Sequence, residues 1–257
     1  MNRIFKIYQN QQHFFLGFTG ALIFLTIWEI ITRTKIINPI FLSPPTEILQ
    51  TEWILFTSGK IFPHLFISLQ EFSLGFAIAI ILGVSLGLLI GWYKKIEALT
   101  SSLIYSLYST PNIALLPLII IWTGLGIWSK IIVVFLGAFF PILINTIAGV
   151  KNLDPNLVSL ARSFGATESQ IFKTIIFPAS LPYILTGFKL AIPRAMIGMI
   201  IGEFFVSNQG LGYLITFYGS TFQTAEILAV VVIVVIISVS LTKLLSYLEK
   251  HFQSWKV

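Results

Sequence analysis

Charged side chains inside long apolar stretches are the residues of this sequence that bear most directly on chemistry. Arg194 and Glu203 interrupt the apolar stretch 183–206, Glu29 lies near the end of the first such stretch, and Glu226 begins the last. Because a charge inside a membrane is costly, such residues mark either a solute pathway or a pair of internal partners. A guanidinium on a pathway would suit an anion. Arg194 and Glu203 are therefore candidates for a pathway or for an internal ion pair.

Enzymatic chemistry finds little support in the sequence. Residues 83–87 match the G-x-S-x-G nucleophile pattern, but that pattern works on a sharp turn between a strand and a helix, whereas here it lies inside an uninterrupted apolar stretch. His13, His64 and His251 are isolated and lie outside the apolar stretches, and the chain has no cysteine. No H-E-x-x-H pattern or carboxylate cluster offers a metal site. The sequence therefore predicts no enzyme activity and no metal or cofactor bound by this chain.

The composition places these residues in a membrane protein. Of 257 residues, 56% are hydrophobic and only 10% are charged, and the mean hydropathy is +0.91. A bilayer span needs about 20 mostly apolar residues. Six stretches qualify, namely 14–31, 72–92, 102–122, 129–150, 183–206 and 225–245. The predicted fold class is therefore an all-α integral membrane protein with six transmembrane helices, surrounded by lipid. The scattered basic residues form no stripe that would suit nucleic acid.

The distribution of basic residues predicts the topology. Most of them fall in the N-tail, the second and fourth loops or the C-tail, and few fall in the other loops. By the positive-inside rule both termini are cytoplasmic. The whole chain, 1–257, is then one permease domain, divided as follows: an N-tail 1–13, an external segment 32–71, a cytoplasmic loop 151–182 and a C-tail 246–257. Residues 46–56 predict an amphipathic helix, which either lies at the outer interface or packs on the bundle.

Small residues at a spacing of four predict close helix packing in the second span. A ridge of residues without bulky side chains lets two backbones approach each other. The ridge consists of Gly75, Ala79, Gly83, Gly87 and Gly91. We expect these residues to act in helix packing and not in solute binding.

Prolines are expected to interrupt the third, fourth and fifth spans. Pro111 and Pro117 lie in the third span, Pro141 in the fourth and Pro193 in the fifth. Broken helices inside a membrane are tolerated where protein or a water-filled path covers the freed carbonyl groups. The three spans are therefore predicted to be the walls of a pathway.

The fourth loop, 151–182, has the pattern of two short helices separated by a glycine bend. Asp154 and Pro155 suit a helix start, and Gly165 suits a helix end. Residues 167–170 form a capping-box pattern that restarts a helix, which Pro178 is expected to end. Such a loop could simply pack on lipid headgroups, or it could bind a partner.

The residues of this loop resemble the EAA loop of binding-protein-dependent permeases of the ATP-binding-cassette (ABC) superfamily. In that pattern Glu-Ala-Ala is followed after three residues by Gly, then by Ile and Leu-Pro. The residues that carry the resemblance are Ser159, Leu160, Ala161, Arg162, Phe164, Gly165, Ala166, Ile175 and Pro178. The resemblance covers nearly the whole chain and extends to Pro111, 115–118, Trp122 with 124–126, 139–141, Glu203 and 210–212.

Several positions depart from the pattern of the family. Ser159 and Leu160 occupy the positions of the usual Glu and Ala, and Phe177 replaces the usual Leu before the proline. Glu71 lies where relatives often carry a basic residue. The helix-glycine-helix pattern survives these changes, so the loop is expected to keep its coupling role.

The resemblance implies a type I ABC importer permease of MetI-like architecture in the inner membrane. Its coupling loop would dock on a separate ATPase, two identical permease chains would pair, and an extracytoplasmic binding protein would deliver the solute. The chain has no G-x-x-x-x-G-K-[ST] phosphate loop, so ATP and Mg would be bound by the partner ATPase. The branch it resembles imports nitrate, sulfonates, taurine, bicarbonate or thiamine-pyrimidine precursors. A small anionic solute is expected, with a thiamine-pyrimidine precursor as the alternative and a stand-alone secondary transporter as a rival function.

Overall fold

The structure is a computed structural model that describes residues 2–34 and 36–253, with side chains for 15–34 and 36–249. The described residues form eleven α-helices and no strand. The helices are α1 (Asn2–Arg33), α2 (Pro45–Thr57), α3 (Ile61–Trp92), α4 (Lys94–Ser109), α5 (Leu116–Thr123), α6 (Ile127–Lys151), α7 (Pro155–Ser163), α8 (Glu168–Ile171), α9 (Phe177–Val206), α10 (Leu211–Ser220) and α11 (Thr224–Gln253). A 3-10 turn, Asn112–Leu115, precedes α5, and a π-helical turn, Phe172–Ile176, joins α8 to α9.

Five of the described segments are long and apolar enough to cross a membrane, and a sixth is a bent pair of helices. The five are Phe15–Arg33, Ile61–Trp92, Ile127–Lys151, Glu168–Val206 and Thr224–Glu249. The bent pair is Lys94–Ser109 with Asn112–Thr123, which meet at 86°. The predicted all-α membrane class is confirmed. The side chains of the N-tail and of residues 250–257, on which part of the topology prediction depends, lie outside the described residues.

The third predicted span is the segment that differs most from expectation. Residues 102–122 form no single helix, because α4 ends at Ser109 and Thr110 is extended, with ψ 130°. Pro111 follows, and a proline disfavours the helical conformation of the residue before it. Pro117 lies in the first turn of α5, where a missing N–H costs nothing. Only the first of the two prolines therefore breaks the span.

The expected interruptions of the fourth and fifth spans are absent, since α6 runs through Pro141 and α9 through Pro193. The two helices pack backbone to backbone. A Cβ added at Gly137 would lie 2.8 Å from the Arg194 carbonyl oxygen, and one at Gly198 would lie 2.9 Å from that of Val133. Neighbouring protein can hold a helix continuous across a proline inside a membrane. The prediction of breaks at Pro141 and Pro193 was therefore wrong. The packing of α6 against α9, which holds both helices continuous, could not be seen in the sequence.

Two compact units divide the chain. One comprises 1–62 and 214–232, and the other comprises 63–213 and 233–257. In the first unit, Glu29 of α1 pairs with Arg33 at 2.5 Å and accepts a 2.7 Å hydrogen bond from the Thr46 hydroxyl. Glu29 therefore has local partners that tie α1 to α2. The predicted amphipathic segment 46–56 lies within α2.

The second unit is built around α3, α6 and α9. Its main apolar cluster takes residues from all three helices, including Ala79, Ile142 and Met196. The small residues of α3 lie against α6 at matching intervals of four. A Cβ added at any of the four glycines would lie within 2.8 Å of an α6 atom, in the pairs Gly75 with Val134, Gly83 with Ile142, Gly87 with Thr146 and Gly91 with Val150. Larger side chains on this ridge would therefore force the helices apart.

Candidate functional site

The α7–α8 loop, defined here as residues 152–176, is built by local capping interactions. The carboxylate of Asp154 accepts a 2.9 Å hydrogen bond from the Asn156 N–H and starts α7. At the other end Gly165 has φ +80°, its N–H donates to the Arg162 carbonyl at 2.9 Å, and the Ala166 N–H donates to Ala161 at 3.0 Å. These two bonds form a Schellman motif, which needs a left-handed residue at Gly165. The glycine bend is thus a defined turn.

The second part of the loop begins with a capping box and does not end at Pro178. The Thr167 hydroxyl accepts from the Gln170 N–H, and the Gln170 side chain accepts from the Thr167 N–H. α8 continues through the π-helical turn into α9, with Pro178 in the first turn of that helix. A proline fits there because the first N–H groups of a helix have no intrahelical partner. The predicted end of the second helix at Pro178 was therefore wrong.

Apolar residues of the loop point in two directions. Ile171 and Ile176 are buried against Leu88 and Val150, with Val158, Ala161, Ala166 and Ile175 partly buried beside them. Leu157, Leu160 and Phe164 are exposed, Phe164 to 84%. Ser159, Arg162 and Pro178 are also exposed. An exposed apolar patch on a loop held by such a core is a candidate surface for binding another protein.

Arg162 joins this loop to the end of α3. Its guanidinium pairs with Glu168 at 3.0 Å and lies 5.9 Å from the ring centroid of Trp92. Beside it, Lys151 at the end of α6 pairs with Glu97 of α4 at 2.6 Å. These groups line a cavity of about 790 Å³ between α7 and the ends of α3, α4 and α6.

Arg194 forms no ion pair with any side chain in the described ranges. Its guanidinium lies over the Tyr108 ring, 4.7 Å from the centroid, and the residue is exposed on the surface of α9. It lines a cavity of about 180 Å³ with Asn112 and Ile113 of the 3-10 turn. Pro111, at the break of the third span, is adjacent to these residues in the chain. The structure therefore brings Arg194 to the broken span and not to a carboxylate.

Glu203, in contrast, is completely buried in a polar cluster that includes Glu71 and Lys130. It accepts hydrogen bonds from the Ser68 hydroxyl at 2.5 Å and from the Gly212 N–H at 2.6 Å. The Lys130 ammonium pairs with Glu71. From the sequence, Glu71 was noted only as a departure from the family pattern, and Lys130 was not singled out. No local signal connects these residues, because they lie on three separate helices.

The fold defines a polytopic all-α membrane protein with a helix-glycine-helix loop between α6 and α9. The chain belongs to the family described as binding-protein-dependent transport system inner membrane component, whose profile matches residues 79–256. It is 38% identical over 192 residues to the formylaminopyrimidine transport permease protein ThiX of Halalkalibacterium halodurans, covering 75% of this chain and 76% of that protein.

Another relative is a candidate aliphatic sulfonates transport permease protein, SsuC, of Bacillus subtilis. It is 32% identical over 234 residues, covering 91% of this chain and 85% of that protein. The fold is similar to a chain of the methionine ABC transporter MetNI in an inward-facing conformation, with a TM-score of 0.63 and 19% identity, covering 77% of this chain and 97% of that chain. That likeness supports the fold alone.

Membership of this family confirms the predicted class. The protein is the multi-pass inner-membrane permease subunit of an ABC importer, and is not itself an enzyme. Importers of this family work with an ATPase and an extracytoplasmic substrate-binding protein. The rival function as a stand-alone secondary transporter is thereby set aside.

Proposed function

We propose that the α7–α8 loop is the surface on which the partner ATPase docks, and that ATP and Mg are bound by that partner. The observation that supports this most directly is the exposed trio Leu157, Leu160 and Phe164 on a loop whose other apolar residues are buried. An apolar groove on the partner protein would bury these side chains, whereas a polar surface on that protein would leave them without apolar contacts. Phe164 is the proposed anchor, since it is the most exposed of the three and aromatic residues are enriched in the buried centre of protein interfaces.

A charge placed at the anchor tests this docking surface. Phe164→Asp should still insert in the membrane, but the ATPase should no longer co-purify with it and ATP-driven uptake should be lost. Phe41→Asp is the matched control, because Phe41 is also exposed, to 76%, but lies between α1 and α2, outside the α7–α8 loop. This variant should still co-purify with the ATPase. Normal co-purification of the ATPase with Phe164→Asp would refute the docking role.

The solute is proposed to be a small organic anion of the sulfonate type that passes Arg194. The guanidinium is exposed, has no described carboxylate partner and lies beside the broken third span. The name of the SsuC relative agrees with this class of solute. Arg194→Gln should lower uptake of the anion without lowering the amount of assembled complex, and Arg194→Lys should keep part of it. Unchanged anion uptake by Arg194→Gln would remove the residue from the pathway.

A pyrimidine precursor is the second candidate solute. It is favoured by the identity to ThiX, which is higher than the identity to SsuC. Titration of the companion binding protein with a sulfonate, taurine and a formylaminopyrimidine separates the two candidates by which compound it retains.

Two copies of the chain are proposed to pair side by side in the lipid bilayer. α5 carries exposed apolar side chains, including Ile121 at 75% and Trp122 at 74%, on the same broken span that approaches Arg194. Because the chain has no cysteine, Ile121→Cys should form a disulfide-linked dimer on oxidation, whereas Phe24→Cys on α1 should not. The reverse result would place the pairing surface elsewhere.

Both termini are proposed to be cytoplasmic, with the α7–α8 loop on the same side. The positive-inside distribution of basic residues supports this orientation. In the cysteine-free chain, Ser163→Cys should react with a membrane-impermeant maleimide only after the cytoplasmic face is opened. Gln50→Cys on α2 should react in intact cells. Labelling of Ser163→Cys in intact cells would reverse the topology.

A further inference from the structure

Three charged side chains are buried together in the second unit, at the ends of α6 and α9 that lie opposite the α7–α8 loop. Glu71 of α3 and Glu203 of α9 are 0% exposed, and Lys130 of α6 is 7% exposed. All three belong to segments that can span a membrane. A buried charge is costly unless it is paired and hydrogen-bonded. The partners of each group therefore decide the charge state of the cluster.

Glu203 has the hydrogen bonds that an ionised carboxylate needs. One oxygen accepts from the Ser68 hydroxyl at 2.5 Å and the other from the Gly212 N–H at 2.6 Å. Ser68 in turn accepts the Leu211 N–H at 2.8 Å. Hydrogen bonds to a carboxylate of this kind stabilise its negative charge.

Glu71 has fewer partners. The Lys130 ammonium pairs with its Oε1, while Lys130 also donates to the Ser207 hydroxyl at 3.2 Å. Within the described ranges, Oε2 of Glu71 is buried and receives no hydrogen bond. Ser68, which donates to Glu203, lies one helical turn before Glu71 on α3, so the two carboxyl groups lie in the same buried region between α3 and α9. A buried carboxylate oxygen without a donor is costly when it is ionised, so the surroundings of Glu71 favour a protonated carboxyl group.

The charge count gives the same answer. Two carboxylates and one ammonium leave one net negative charge in a cluster whose carboxyl groups are fully buried, and buried charges without a partner normally become neutral. We propose that Glu71 and Glu203 bind one proton between them, so that the cluster with Lys130 is neutral. The proton comes from water, a single O–H bond forms, and no other bond changes.

The other titratable groups around the cluster do not supply this proton. On α3, His64 accepts the Gly210 N–H at its Nδ1 at 3.1 Å, so that nitrogen carries no hydrogen. The imidazole is stacked on the ring of Tyr213 at the start of α10. Lys130 is the cation from α6, and Glu203 is the charged group from α9. The two carboxyls are thus the groups that must hold the proton.

The proton has a structural consequence for the turn between α9 and α10. Gly210 has φ +116°, and a Cβ there would collide with the Glu203 carboxylate. Glu203, Ser68 and His64 together bind the backbone of residues 210–212. Removal of the proton would set two negative charges against each other directly beneath this turn. The turn should therefore be held most firmly while the proton is bound.

Infrared spectroscopy of the purified complex in an ester-free detergent tests the proposal, because only a protonated carboxyl gives a carboxylic C=O stretch. At neutral pH the wild type should show the C=O stretch of one protonated carboxyl group per permease chain. This signal should be absent from Glu71→Gln, because Glu203 and Lys130 alone make a neutral cluster without an added proton. Glu203→Gln should lose the same signal. Glu47→Gln, the same change at an exposed residue of α2, should keep it.

Lys130→Met provides the opposite perturbation. Without its ammonium the cluster has two carboxylates and no cation, so a second carboxylic signal per chain should appear. If Glu203→Gln or Lys130→Met fails to assemble, the comparison of Glu71→Gln with wild type decides alone. A wild-type spectrum with no carboxylic signal, or a signal that persists in Glu71→Gln, would overturn the proposal.

Discussion

The turn at Gly165 allows the coupling role of the α7–α8 loop to be tested by backbone conformation alone. Gly165 has φ +80°, and a Cβ added there would meet nothing within 4 Å. Substitution therefore causes no clash, and its entire cost is that of holding an L-residue in the left-handed region. For leucine this cost is about 1–2 kcal/mol. For asparagine it is smaller, because its side chain tolerates this region.

The expected magnitude follows from this cost. If the ATPase binds only the loop with the Schellman turn formed, 1–2 kcal/mol reduces the equilibrium constant for forming that turn about 5- to 30-fold. The apparent dissociation constant of the ATPase should rise by up to about the same factor for Gly165→Leu, with a parallel loss of uptake at limiting ATPase. Gly165→Asn should lie between the wild type and Gly165→Leu.

The assay is a titration of purified ATPase against each permease variant in lipid nanodiscs. Thermal unfolding of the permease alone serves as the control, and it should be nearly unchanged, since the bend lies at the surface of the loop. Equal dissociation constants for glycine and leucine at this position would refute the requirement for the turn. Equal weakening by leucine and asparagine would show that side-chain bulk, and not φ, is responsible.

Three further perturbations have defined expected outcomes. Gly87→Ala places a Cβ 2.6 Å from that of Thr146 and should destabilise the protein by about 1–3 kcal/mol in thermal unfolding. Gly20→Ala, which meets nothing within 4 Å, should have almost no effect, and equal effects would contradict the packing of α3 on α6. Trp92→Leu removes the ring beside Arg162 and should lower uptake per ATP hydrolysed about two- to five-fold. Trp92→Phe should recover part of that loss, and full coupling in Trp92→Leu would exclude this contact from transmission. Asp154→Ala removes the cap of α7 and should cost about 1 kcal/mol of local stability, measured as faster amide exchange in 155–163, and unchanged exchange would show that the cap is dispensable.

Features set by neighbouring residues could be predicted from the sequence. The capped start of α7, the glycine bend at Gly165 and the capping box at Thr167 are decided within a few residues, and all three are present. The ridge of small residues on α3 was also visible, since it repeats every four residues. What the ridge packs against was not visible, because α6 is far along the chain.

Features that depend on distant residues could not be predicted. Continuity of α6 through Pro141 and of α9 through Pro193 requires the close contact between these helices. The buried cluster joins Ser68 to Glu203 across 135 residues. Glu71 was noticed only as a departure from a family pattern, and its pairing with Lys130 explains how a carboxylate is accommodated there. Long-range polar pairing therefore marks the limit of local sequence patterns in this protein.

The continuity of α9 leads to a further prediction about how motion is transmitted. This helix starts next to the α7–α8 loop, carries Arg194 midway and ends beyond Glu203. Close backbone contacts at Gly137 and Gly198 hold it against α6, and interiors packed at this distance do not deform continuously. A displacement of the loop should therefore move α9 as one rigid body.

Spin labels on α9 test this rigidity. The labels would be placed at Ala179→Cys and Phe205→Cys, which are exposed positions near the two ends of the helix. Labelled chains would be diluted with unlabelled copies, so that only distances within one chain are measured. At a rise of 1.5 Å per residue the two positions are about 40 Å apart. Their distance should stay the same with and without ATP on the partner. In a second experiment, without dilution, each of the two paired copies carries one label at Phe205→Cys. The distance between these two labels should change when ATP binds to the partner. A nucleotide-dependent change within α9 would show that the helix bends during transport, at Pro182 or Pro193, and that the loop and the Glu203 cluster move independently.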